Sequence, residues 1–585
     1  MTLLVDGARI AAFEGEPAAA AMLVAGRPVV SRSFRFHRPR GLMCSTGQCG
    51  WCECRVDGRP SVRSCRVPAV DGMRIEGEHA LPAVRFDVLA ALGLGARWIR
   101  PTFYHHRFLR PRRLRKRYLD VIRWFGGRGR LALPYADGAG GRSAPAGSPA
   151  PSGRPLQRIA VDVAIVGGGP AGLLAARAAA TAGAHVLVLE GDAAVGGPWR
   201  WRDGPLPGTV GPLDHLVHAL AGDPNVTVMV DTSVVSIDEG GIHALAPTAL
   251  LDVAAGAVIV AGGSYERLPS VPGNDRPGVL GARTVEWLIR GHGIVPGDTA
   301  VLVGSSADGD RAAEALIAAG ARIAARVDTA DLLAIDGRSH VTGVRVRGPG
   351  ATHRLPADLV VVAERVPALE VLLAAGAERA LDARGAIVAI ADAEGRTSVP
   401  GMFVAGAAGG RPVGDAGDAE AAEAVGRTAA AWASMAAAAR GPVEADPPPW
   451  APGSAREPLR SVGPVAAGAA GTLLPPQAMI CFCEDVRADD LAHERRHGYE
   501  DPELLKRRTG SLTGPCQGKY CATGFCAATM AGAGTMPPSL PTTRPPARPV
   551  RLGDLVRAAE PVSVMAPGAG PDPAPDPAPG APSSR

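Results

Sequence analysis

The stretch from Val161 to Glu190 constrains the fold of this chain more than any other. An aliphatic run, VDVAIV, ends in Gly167-x-Gly169-x-x-Gly172. An Ala-rich helical segment follows, and a second aliphatic run closes on Glu190. Strand, glycine turn, helix and strand stand at the spacing of a dinucleotide-binding βαβ unit. Gly167 permits the tight turn, Gly169 lets the backbone approach a pyrophosphate, and Gly172 lets helix and strand pack closely. The phosphates of a ligand would sit on the unpaired N–H groups and positive dipole end of the helix. Glu190 is placed to accept a hydrogen bond from a ribose hydroxyl.

The ten cysteines fall into two groups, five from Cys44 to Cys65 and five from Cys481 to Cys526. With no secretory signal, a disulfide framework is not the expectation. Two metal sites flanking the nucleotide-binding middle are. Cys44-x4-Cys49-x2-Cys52, with Cys65 after twelve intervening residues, is the plant-type ferredoxin spacing for a [2Fe–2S] cluster. Three thiolates must wrap one side of the cluster on a tight loop while the fourth arrives from a separate strand. Gly47 and Gly50 let that loop bend and turn N–H groups toward sulfur. Four thiolates also suit zinc, but zinc ribbons use paired CxxC motifs. Cys54 is left over, alternating to the other face of a following strand. In the second group, Cys481-x-Cys483 and Cys516-x4-Cys521 enclose a stretch of helical character, which again suits [2Fe–2S]; zinc or unpaired thiols are the alternative, and Cys526 is spare. Lys519, between the last two ligands, either offsets cluster charge or is simply exposed.

Between these groups, Gly196-Gly197 follows the second strand of the unit, and Ala257 to Gly263 is a buried strand ending in small residues. Gly197 and Gly262 are therefore candidates for close backbone approach to a cofactor. A second α/β unit, residues 299 to 328, carries Gly304-x-Ser306-x-x-Gly309 and ends on Asp328. Ser306 adds a Cβ and a hydroxyl where a pyrophosphate should approach, so a working nicotinamide site and a vestigial packing unit both stand. Thr397 to Gly410 returns to the first nucleotide fold through Gly406. Two-dinucleotide flavoproteins usually place an acidic residue next; here it is Ala407, with Asp415 or Asp418 as substitutes. FAD is the expected cofactor of the first site, with NAD as the alternative.

The remaining segments are connectors. Residues 81–133 form a basic connector whose Arg and Lys residues are expected to meet acidic surface on this protein or a partner, rather than nucleic acid. His105 and His106 read as packing residues. Pro/Gly-rich linkers span 134–157 and 441–475, and 534–585 is a Pro-rich tail expected to be disordered. The formal charge of +5 on 585 residues does not imply nucleic acid. No signal peptide and no apolar run near the length of a membrane span are found, so a cytoplasmic location is expected.

The expected architecture is multidomain α/β. It comprises a β-grasp ferredoxin-like [2Fe–2S] domain (1–80), an FAD-binding domain (158–290, returning at 391–440), an NAD(P)-binding-like domain (291–390) and a small helical [2Fe–2S] domain (476–533). This order of parts resembles the alpha-subunit family of sarcosine oxidase, which includes opine oxidase, hydrogen cyanide synthase and dye-linked proline dehydrogenase subunits. The resemblance rests on Cys44–Cys65, Val161–Glu190, Ser264-Tyr-Glu-Arg-Leu-Pro with Gly273-Asn-Asp-Arg-Pro-Gly278, and Cys481–Cys521. The last module is similar to bacterioferritin-associated ferredoxin. The long folate-binding half of sarcosine oxidase alpha subunits has no counterpart here, so the hydrogen cyanide synthase or opine oxidase arrangement is the closer resemblance.

The family implies a D-amino-acid-oxidase-like flavoprotein partner and a downstream electron acceptor. It implies for this chain the role of an FAD- and iron–sulfur-containing electron-transfer subunit in the oxidation of CH–NH donors. No catalytic residue is singled out. Two other readings stay open: a self-standing NAD(P)H-dependent reductase, and a non-catalytic scaffold using the basic segment.

Overall fold

The computed structural model describes residues 1–95, 111–126, 154–440, 474–530, 541–550, 552–555 and 563–565, apart from 203, 208, 210, 239, 240, 383, 384, 415 and 542. His105, His106, Asp415 and most of both expected linkers lie outside the described residues.

The N-terminal unit begins with a hairpin, β1 (Thr2–Val5) and β2 (Ala8–Ala11), turned by Asp6 and Gly7. Both residues have positive φ, as a two-residue hairpin turn requires. Helix α1 (Ala18–Val24) packs an almost wholly buried Ala face on the sheet completed by β3 (Glu53–Val56), β4 (Arg59–Arg63) and β5 (Arg74–Gly77), in the order β2-β1-β5-β3-β4. The cysteine loop is inserted between α1 and β3. The basic segment forms helix α2 (Arg112–Gly126), with Arg113, Arg115, Lys116 and Arg117 exposed.

The central sheet starts with β6 (Leu156–Val166), inside the expected linker. Its last four residues are buried on both faces, as a parallel sheet covered by helices demands. Helix α3 (Pro170–Thr181) leads to β7 (Val186–Leu189), followed by β8 (Val226–Met229), β9 (Ser233–Asp238), β10 (Gly241–Leu245) and β11 (Leu250–Val260). The order is β8-β7-β6-β11-β10-β9, with the chain passing to opposite sides of β6. The carboxyl end of β6 is therefore a topological switch point, where open α/β sheets bind ligands.

The second unit is a parallel sheet of β12 (Val279–Gly281), β13 (Thr299–Val303), β14 (Arg322–Val327) and β15 (Leu359–Val362), ordered β12-β15-β13-β14, with helix α4 (Ala307–Ala318) following β13. The chain then returns through β16 (Met402–Val404), parallel to β11, into helix α5 (Ala416–Arg440). Alanines of α3 and α5 share one core. A Cβ on Gly426 would stand 2.3 Å from the carbonyl oxygen of Ala175, so small residues set this close helix approach.

The C-terminal unit has three short helices, α6 (Ala488–Arg496), α7 (Pro502–Thr509) and α8 (Ala522–Met530). The two cysteine groups, far apart in sequence, come together in the fold: Cys44, Cys49, Cys481, Cys516 and Cys521 share one apolar core. One expectation needs correction. The Pro-rich tail is not uniformly disordered. Pro541 and Ala547 are buried, the Ala547 N–H donates to the Val235 carbonyl at 2.8 Å, and β17 (Ser563–Met565) pairs with the start of β6.

Candidate cofactor cavity and cysteine sites

A cavity of about 800 Å³ opens at the switch point. Gly167, Gly169, Glu190, Gly197 and Gly262 line it. Gly167 has φ +111° and a Cβ there would stand 2.5 Å from the Ala261 carbonyl, while a Cβ on Gly172 would stand 1.9 Å from the Gly167 carbonyl. Gly169, the N-cap of α3, is different: no protein atom lies within 4 Å of its missing Cβ. That opening sits at the helix N-terminus and fits a pyrophosphate. The Glu190 carboxylate is held by the amides of Gly168 and Asp192, both at 2.7 Å. Burial and the neighbouring Asp192 charge raise this carboxyl, and the two amides and Arg548 act against them. Gly406 lies behind the wall, 2.4 Å from the Ala171 Cβ if it carried one of its own, and Ala407 lines the cavity. Asp418 bonds the Gly414 amide at 3.2 Å and is not on the cavity wall.

The second unit meets the same cavity through Ser306 and Asp308, but Gly304, Gly309 and Asp328 are not on its wall. The Ser306 hydroxyl caps α4 by accepting from the Gly309 amide at 3.1 Å and donates to the Ala363 carbonyl at 2.8 Å. Asp308, in the first turn, pairs with Arg202 at 2.9 Å and Arg283 at 2.8 Å. Burial alone would raise Asp308, but Arg283, Arg365 and Arg202 outweigh it and hold the carboxyl below the usual range. The chain's own hydroxyl and carboxylate thus occupy the helix end that a nicotinamide dinucleotide would use.

At the first cysteine site, Gly47 and Gly50 adopt positive φ and turn the loop. The Cys49 amide points at Cys44 Sγ and the Trp51 amide at Cys49 Sγ, each at 3.4 Å. The thiols of Cys44 and Cys49 lie beside each other, as do those of Cys52 and Cys65. Ser64 fixes the second pair by donating through both N–H and hydroxyl to the Cys52 carbonyl. Two pairs suit two irons sharing four thiolates. Among the described residues no three His, Cys, Asp or Glu side chains are set around a single metal ion. Cys54, on β3, belongs to the separate core of the N-terminal unit. In the second site the thiols form a run of contacts, Cys481–Cys521–Cys516–Cys483. Cys526 stands outside this run.

Residues that spacing could not reveal connect the three sites. Ser45, Thr46 and Gln48 of the first cysteine loop lie on the cavity wall. So does Tyr265, whose hydroxyl donates to Glu370 at 3.2 Å and whose ring lies 5.6 Å from that of Tyr520, next to Cys521. Lys519 is buried, its ammonium donating to the Ala547 carbonyl at 2.6 Å. Its exposed alternative is thereby corrected. Burial lowers its pKa, against Glu370 and Cys516.

Comparison with known proteins agrees with this division. Residues 1–80 match a family described as a 2Fe-2S iron-sulfur cluster binding domain, and residues 161–336 one described as pyridine nucleotide-disulphide oxidoreductase. Residues 476–559 match the sarcosine oxidase A3 domain. The chain is 27% identical to the alpha subunit of a Rhizobium meliloti sarcosine oxidase, over 95% of this chain and 58% of that protein. It therefore spans little more than half the length of that relative. It is 26% identical to an opine oxidase subunit of Rhizobium meliloti, over 70% of this chain and 90% of the relative. The L-proline dehydrogenase of P. horikoshii has a similar fold, with TM-score 0.64, 20% identity, and coverage of 95% of this chain and 97% of that one.

Proposed function

We propose that this homologue of the sarcosine oxidase alpha subunits is the FAD- and iron–sulfur-containing electron-transfer subunit of a complex that oxidises an amino acid or amine at its CH–NH carbon. One observation carries the reading: the dinucleotide loop and the first cysteine loop are walls of a single cavity. Carriers held at both would be neighbours with no intervening domain.

The N-terminus of α3 and the open position at Gly169 would hold a pyrophosphate, and Glu190 a ribose hydroxyl. Cys44, Cys49, Cys52 and Cys65 would hold one [2Fe–2S] cluster, and Cys481, Cys483, Cys516 and Cys521 a second. A flavin, when bound, supplies the interchange between two-electron and one-electron chemistry. The chain's own work is to bind, orient and shield. The shared apolar core around five of the cysteines keeps water from them, and the Tyr265–Tyr520 contact joins the cavity to the second site. Ala407, in place of an acidic residue, leaves NAD as the alternative occupant of the first site. The partner would be a D-amino-acid-oxidase-like flavoprotein supplying the substrate pocket, with a downstream acceptor. Among the described residues no helix is long and apolar enough to cross a membrane.

The rival reading, a self-standing NAD(P)H reductase, needs a working second nucleotide site. Ser306 and Asp308, already bonded across the helix end, work against it. An anaerobic NADH titration of the purified protein separates the two. No bleaching, with flavin and four irons present and dithionite reducing both, is expected. Stoichiometric bleaching would move the reading to a reductase.

A further inference from the structure

Two residues of the tail, Ala547 and Arg548, are on the cavity wall, on the side of Glu190 and Gly191. Its Nη1 donates to Ser233 Oγ at 2.9 Å. The Gln48 amide, with its oxygen turned toward the guanidinium, accepts from Nε at 3.1 Å and Nη2 at 3.2 Å. Three of the five N–H groups of a guanidinium are thus engaged, and two remain free of partners among the described residues. The residue after the ribose-binding Glu190 is Gly191, and a Cβ there would stand 1.7 Å from Arg548 Nη1. Glycine makes the room that the guanidinium fills. One residue back, the Ala547 carbonyl accepts from Lys519, between Cys516 and Cys521, and its amide donates to Val235 of β9.

We infer that Arg548 is a dinucleotide-binding residue, presenting its two remaining N–H groups to the adenosine half of an adenine dinucleotide held at Glu190. The inference rests on the proposed occupancy of the first nucleotide site and adds a residue to it from the far end of the chain. Because the same segment is tied to the second cysteine loop through Lys519, binding of the dinucleotide and seating of that loop reinforce one another. Such coupling is reciprocal. FAD and NAD share the adenosine half, so either satisfies the chemistry.

The test uses the full chain with its clusters. Wild type, Arg548→Ala and Arg548→Lys are purified, and acid-released ligand is identified as flavin by fluorescence or as NAD by enzymatic cycling. Iron is counted in the same samples. Arg548→Ala should bind the dinucleotide roughly tenfold more weakly, the usual loss for a charge-assisted hydrogen bond, with iron unchanged, and Arg548→Lys should recover part of the affinity. Wild-type affinity in Arg548→Ala would overturn the inference while leaving the first site intact. Wild type devoid of both flavin and NAD would overturn the site and the inference together. A measurement on wild type alone covers the case of a variant that loses iron. Adding the identified dinucleotide to ligand-stripped protein should slow proteolysis within 541–550 several-fold, and an unchanged cleavage rate would sink the proposal.

Discussion

Arg40 of the N-terminal unit and Asp485 of the C-terminal unit form a 2.8 Å ion pair between side chains that are almost wholly buried. The same guanidinium reaches Asp275 of the core at 2.7 Å, and Asp485 also accepts from the amides of Arg35 and Phe36. Three units separated by hundreds of residues meet at one cation. Truncating a member of a buried ion network leaves uncompensated charge. Arg40→Ala should therefore destabilise the protein by about 3–5 kcal/mol, measured by denaturant unfolding with the clusters as the probe.

Asp275 gives this junction a pH signature. Burial alone would raise its carboxyl, but Arg38 and Arg40 outweigh burial and hold it below the usual carboxylate range. A depressed folded-state value means that its contribution is complete above the unfolded aspartate value, about 3.9, and is lost as pH falls below it. The stability gap between wild type and Asp275→Asn should be constant at neutral pH and narrow below about pH 4. A gap that stayed constant into acid would contradict the assignment.

Gly169 and Gly172 should separate binding from folding. Gly169→Ala meets no protein atom within 4 Å, so the melting temperature of the ligand-free protein should stay the same. Its methyl group stands at the mouth of α3, and dinucleotide affinity should fall by about 1–3 kcal/mol. Gly172→Ala forces a methyl group against the Gly167 carbonyl, and about 1–3 kcal/mol of folding stability should go instead. Fluorescence titration and thermal melts read the two effects.

Cysteine substitutions should fall into two classes. Cys44→Ser or Cys52→Ser should halve the iron content, as should Cys483→Ser or Cys516→Ser, each abolishing one electron paramagnetic resonance signal of the reduced protein. Cys54→Ala and Cys526→Ala should leave iron unchanged. Cys54 lies in the separate core of the N-terminal unit, and Cys526 stands outside the run of close thiols Cys481–Cys521–Cys516–Cys483. Loss of iron in either of these two would reassign the ligand sets.

The geometry of the local motifs was readable because it is written in neighbours. Gly167 to Glu190 and Cys44 to Cys65 carry their geometry in spacing, and the turns at Gly47 and Gly50 follow from residue type. What could not be read lies in pairings across long separations. Nothing near Arg40 in sequence points to Asp275 or Asp485, and nothing near Arg548 points to Gln48 or Ser233. The Gly273–Gly278 stretch, noticed only as a marker of resemblance, is the hub where Asn274 bonds the Met479 backbone and Asp275 collects two arginines. The Pro-rich composition of the tail misled for a similar reason. Composition reports how little a segment can bury by itself, and residues 541–550 are ordered by surfaces that others supply.

The shared core of the two cysteine sites has a consequence for how the protein is made. Cys44, Cys49, Cys481, Cys516 and Cys521 are each at most 2% exposed. Of the eight candidate ligands only Cys483 is more than slightly exposed, so the closed molecule offers a cluster-delivery protein little purchase on either set. Clusters held there would be expected to assemble before closure: iron and sulfide would enter while the N- and C-terminal units are apart, and the Arg40 junction would then lock them in. Closed apoprotein given iron and sulfide should stay colourless, whereas the same chain refolded in their presence should acquire its spectrum. The order of biogenesis is thus set by which thiols the folded protein hides.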